Sequence, residues 1–100
     1  MISNAIFMPL DNKKEVLNRI MSCIQECAMN EEEYVTFGML TDDFKYIDKL
    51  TKYLEGMHYE VLQSTVKTIV EDEVQTVCFV KVKWHKERFG FVQKGKTYIS

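Results

Sequence analysis

Two runs of β-forming residues in the second half of this 100-residue chain constrain its fold more than any other feature. From Tyr59 the pattern has a period of two, with Tyr59, Val61, Gln63 and Thr65 on one face and Glu60, Leu62, Ser64 and Val66 on the other. A second run, Val74 to Trp84, is richer still in β-formers. Glu71, Asp72 and Glu73 form the polar break between them, so the two runs are expected to pair as an antiparallel hairpin. No Gly or Asn in that break offers an easy positive φ, which predicts a longer or bulged loop.

Upstream, the apolar period changes to that of helices. Val16, Leu17, Ile20, Met21, Cys23, Ile24, Cys27 and Ala28 recur at steps of three and four, giving one wide apolar stripe. Asn12, with Glu15 three residues on, has the spacing of a reciprocal helix cap, and Asn30 with Glu31, Glu32 and Glu33 ends the helix. Val35, Phe37 and Met39 then alternate with Tyr34, Thr36 and Gly38, as a half-buried strand does. Thr41, Asp42 and Asp43 cap a second helix, on which Ile47, Leu50, Leu54 and Met57 share a line with Phe44, and Gly56 is expected to close it. Residues 2 to 8 suit either a short strand or an arm, stopped by Pro9.

The pattern predicts a single α+β domain over residues 1–100, with 1–10 and 86–100 as arm or tail segments. Its expected order is α-β-α-β-β. Two helices pack on one face of a three- to four-stranded, mainly antiparallel sheet whose other face is partly wet. The core is expected to draw on Val16, Ile20, Ile24, Val35, Phe37, Ile47, Leu50, Leu54, Val61, Cys78, Val80 and Val82.

Charge divides the chain unequally. Lys81, Lys83, Lys86, Arg88, Lys94 and Lys96, opposed only by Glu87, give the last twenty residues about +5, so residues 1–80 carry about −7 of the net −2. Trp84, Phe89, Phe91 and Tyr98 are threaded through those cations. No apolar run approaches the roughly 20 residues of a bilayer span, and Met1 to Leu10 lacks the features of a secretory leader. Cys23, Cys27 and Cys78 are odd in number, which argues against a disulfide framework and for a reducing compartment, the cytoplasm.

Residues 34 to 84 also resemble, in pattern, small phage- and virus-encoded accessory proteins. In these a strand is followed by a helix, then a Gly-Tyr-x-Val strand start, then a hairpin ending in aliphatic-x-Trp. Here Gly56, Met57, His58, Tyr59, Glu60 and Val61 place two extra residues between the Gly and the Tyr, while Val82, Lys83 and Trp84 occupy the closing position. The resemblance implies a virion part or a protein that binds host machinery, acting in the host cytoplasm. It carries over no functional residue.

No Gly-rich phosphate loop, nucleophile elbow or catalytic triad can be written from these residues, and the chain is expected to be no enzyme and to need no cofactor. Cys23 and Cys27, one helical turn apart, could hold a metal with Cys78, His58 or His85, but they fall in the same stripe as Ile20 and Ile24 and read as core; no metal is expected. Cys78 lies within a strand run and reads as core. His58 is a loop histidine with acidic neighbours, and the Glu31 to Glu33 run lacks the ligand spacing of a calcium loop. The expected contact surface is Trp84, Lys86, Arg88, Phe89, Phe91, Lys94 and Lys96, where rings anchor a partner and cations orient it. The leading expectation is a binding protein that contacts a host or viral protein. The alternatives are nucleic-acid binding through the basic C-terminal segment, and self-assembly as a homo-oligomeric virion or scaffold component.

Overall fold

A computed structural model describes residues 5–85. Its elements run β1 (Ile6–Phe7), α1 (Lys13–Met29), β2 (Tyr34–Leu40), α2 (Phe44–Gly56), β3 (Glu60–Val70) and β4 (Glu73–Lys83). The strands form one sheet in the order β1-β2-β4-β3, with β1 parallel to β2 and with both β2 and β3 antiparallel to β4. The class is α+β with two helices, but the expected order and sheet type need correcting. The order is β-α-β-α-β-β and the sheet is mixed. Ile6 and Phe7 pair with Phe37 and Gly38, Pro9 ends that strand, and α1 returns the chain so that β2 runs in the same direction.

Both helices begin as their caps dictate. Asn12 accepts from the Lys14 N–H, and Asp43 accepts from the Tyr46 N–H at 3.2 Å while its own N–H donates to Thr41 Oγ1. The Glu15 carboxylate turns to Arg19, one turn along, rather than back to the cap. Their ends are less predictable. Glu31 N–H bonds to the Ala28 carbonyl and Glu32 N–H to that of Cys27; His58 N–H bonds to Glu55 and Tyr59 N–H to Leu54 in the same way. This paired closure demands a left-handed residue, supplied by Glu31 at φ 64° and His58 at φ 69°. Gly56, expected to take that role, is instead the last helical residue.

The β3–β4 turn also differs from expectation. Val70 pairs with Glu73, leaving a two-residue connection in which Glu71 and Asp72 adopt φ 53° and 67°. Two successive positive φ values mark the tight hairpin turn whose twist matches that of the strands. The register on both sides of β4 overrides the poor turn chemistry.

Alternation along the strands puts Val35, Phe37 and Met39 of β2 and Cys78, Val80 and Val82 of β4 against the helices. There they join Val16, Ile20, Ile24, Ala28, Ile47, Leu50 and Leu54 in one buried cluster. Every expected core residue belongs to it except Val61, which is half-buried and packs on its margin. Met8, Met39, Tyr59 and Trp84 complete it, whereas Phe44 is exposed. Lys13 ties the two helix starts together, its Nζ lying 3.1 Å from Asp43 Oδ2 and 4.7 Å from the Tyr46 ring centroid.

Candidate interaction site

The opposite face of the sheet has no described helix over it, and its side chains follow from the register. Successive cross-strand rows are Tyr34, Lys83 and Glu60; Thr36, Lys81 and Leu62; Gly38, Phe79 and Ser64; and Leu40, Val77 and Val66. Phe7 of β1 lies over Gly38, where a Cβ atom would come within 2.9 Å of its ring, so only glycine admits this approach. The Phe7 ring also meets Phe79 edge-on at 6.2 Å. Val77 is only 5 % exposed although it stands outside the helix-side cluster. Around it, Phe7 remains 62 % exposed, Leu62 52 %, and Leu40 and Val66 nearly half. This face is apolar at its centre.

Charge varies along the same face. At the end where β2 and β3 begin and β4 finishes, Lys81 Nζ sits 4.4 Å from the Tyr34 ring centroid, and Lys83 Nζ lies 4.0 Å from Glu60 Oε2. At the far end the turn presents Glu71, Asp72 and Glu73, all exposed. The cationic end opens into a cleft of about 610 Å³ lined by Glu33, Tyr34, His58, Tyr59, Glu60, Lys83, Trp84 and His85. Tyr34, Glu60 and Lys83 belong to both cleft and face, so the two are continuous.

Of the expected contact residues, Trp84 is the one described, and it is 7 % exposed. Its indole Nε1–H donates to the Glu32 carbonyl at 3.0 Å, its backbone N–H donates to the Glu33 carbonyl, and its ring packs edge-on against Tyr59. It therefore forms a cleft wall fixed to the α1–β2 turn rather than a ring projecting toward a partner. Lys86, Arg88, Phe89, Phe91, Lys94 and Lys96 lie outside the described residues. The reading of residues 86–100 as a tail falls there too.

Cys78 is a core residue, whereas Cys23 and Cys27, expected in the core, are half-buried and pack on its margin. Burial is the first cause raising the Cys23, Cys27 and Cys78 pKa values above the ordinary 9.0, seconded at Cys23 by Glu26 and at Cys27 by Glu32; at Cys78 a hydrogen bond from Thr65 works in the opposite direction. A thiol held in this way is a poor nucleophile. Among the described residues no three His, Cys, Asp or Glu side chains come together in a geometry that could hold a metal ion. None of the described helices is long and apolar enough to cross a membrane.

The apolar centre was missed in the sequence for an identifiable reason. In Val77, Cys78, Phe79 and Val80 both parities are apolar, the pattern of a strand buried on two sides. The alternation in β3 drew attention to one buried face only. Phe7 and Leu40 come from elements whose partners depend on the topology.

Comparison with protein-family models and with curated protein sequences finds no match to this chain.

Proposed function

We propose that this is a binding protein that docks a partner protein on the helix-free face of its sheet. The observation that supports this most directly is the group Phe7, Leu40, Leu62 and Val66, left open to water around the buried Val77. Apolar surface of this kind in a small soluble domain marks an interaction site, because covering it releases ordered water. Lys81 and Lys83 at one end give the partner a direction: its contact surface is apolar at the centre and acidic at the rim that meets Tyr34. The sequence that follows His85 carries further cations, Lys86, Arg88, Lys94 and Lys96. A phage or viral accessory protein, as the pattern of residues 34 to 84 implies, would use such a face on a host protein in the cytoplasm.

Nucleic acid is a weaker reading, since Glu71, Asp72 and Glu73 at the other end of the hairpin repel a polyanion laid along it. The two readings separate in one set of experiments. Tagged full-length chain is compared with F7D/L40D, whose changes lie on β1 and at the end of β2, by affinity capture from the natural host and mass spectrometry. Proteins captured by the wild type and lost from the folded variant support protein docking; equal capture by both overturns it. A salt-sensitive shift of DNA or RNA in gel electrophoresis would move the function to nucleic acid.

A further inference from the structure

We propose that β3 is a dimerisation edge, pairing antiparallel with β3 of a second copy to continue the sheet across a twofold axis. This inference uses the strand edge rather than the helix-free face and does not rest on the reading above. Among the described residues β3 is an outer strand, paired to β4 without a bulge from Glu60 to Val70, and it contains neither Pro nor Gly. Strands that remain unpaired are blunted by shortness, bulges, Pro or inward charge. The opposite edge shows two of these devices, with β1 only 2 residues long and Pro9 just beyond it. β3 shows only Lys67 along its middle.

The outer part of the hairpin supports the same conclusion. β2 ends at the Leu40–Val77 pair, so residues 67–76 continue as a two-stranded ribbon, on which Ile69 is 71 % and its partner Val74 70 % exposed. Two strands alone are marginal in water, and a neighbouring strand supplies the missing pairing.

Charge then selects the direction. One end of the hairpin carries Glu71, Asp72 and Glu73; the other carries Lys81 and Lys83 on β4, with Glu60 on β3 beside Lys83. Antiparallel pairing brings the acidic turn twice to an end where two lysines outweigh Glu60, whereas parallel pairing in register sets Glu60, Lys67 and the acidic turn each against its own copy. Overlap of the whole strand is greatest when Thr65 faces Thr65 of the second copy. Val61 then faces Ile69, Gln63 faces Lys67 and Glu60 faces Val70, so no like charges are opposed and Ile69 gains an apolar partner. Because the axis stands perpendicular to the sheet, both helix-free faces look the same way.

The symmetry supplies the test, since a charge placed at residue 65 meets itself. Sedimentation of the full-length wild type across a concentration series is expected to show a monomer–dimer equilibrium. T65K and T65E, each folded by circular dichroism, should each weaken it by roughly a hundredfold, and an equimolar mixture of the two should dimerise again. Reversing the turn with E71K/D72K/E73K should weaken the dimer as well, whereas a parallel dimer, in which the turn meets its own copy before and after the change, would keep its affinity. A wild type that stays monomeric at its highest soluble concentration, a dimer indifferent to T65K and T65E, or one unmoved or strengthened by the reversed turn would each overturn the proposal.

Discussion

The two halves of the β3–β4 hairpin share a strand register but differ in how far they are buried. Near Lys83 the hairpin is the centre and edge of a four-stranded sheet, and Val80 and Val82 are buried in the helix-side core. Beyond Val77 the same two strands run on with Ile69 and Val74 in water. β-propensity and cross-strand pairing are comparable in both halves, so they do not decide where the stability lies. Burial does, and the outer half owes its order to pairing with what the inner half holds in place.

The sharpest way to break that comparison is to remove one large side chain from each half. Phe37 is fully buried, and Phe37→Ala should cost about 3–5 kcal/mol in urea denaturation. Ile69→Ala in dilute solution should stay within about 0.5 kcal/mol. Similar losses from the two would show that the outer half is covered within a single chain.

A smaller effect should come from the turn itself. Glu71 and Asp72 sit in a left-handed conformation that neither prefers, so E71N/D72G should stabilise the hairpin by roughly 1 kcal/mol. Amide hydrogen exchange should show that gain concentrated in residues 66–77, with little change in α1. Protection rising equally throughout would mean that the halves unfold as one unit.

The smallest effect concerns the anchored end. Asp43 is held below the ordinary carboxyl value of 3.8, first by the hydrogen bond from Lys13 and then by the Tyr46 N–H. The unfolded chain therefore binds this proton more readily than the folded one. The stability it contributes is complete above 3.8 and is lost as pH falls through the lowered folded value. Asp43→Asn keeps the cap acceptor, so its urea midpoint should fall less steeply in acid than that of the wild type. Parallel curves would remove Asp43 from the acid response.

The helices, the strand from Tyr34 to Leu40 and the hairpin were legible in the sequence because their apolar periods of 3.6 and two survive any arrangement. The candidate site was legible only at its basic end. Lys81 and Lys83 announced themselves by charge, and Trp84 drew notice as a ring among cations, although its indole is committed to the Glu32 carbonyl. Phe7 carried no sequence signal of its own, since two residues are too short for a period to show.

Local patterning thus determined which segments become helix or strand, and which face of each is apolar. The tertiary structure alone decided the partners. β1 beside β2, the ring of Phe7 over Gly38, and left-handed Glu31, His58, Glu71 and Asp72 all arise from closing the chain around one core. The physical reason is one of range. Periodicity acts between residues a few positions apart, whereas the choice of neighbouring strand and the acceptance of unfavourable turns are driven by burial across residues far apart in sequence.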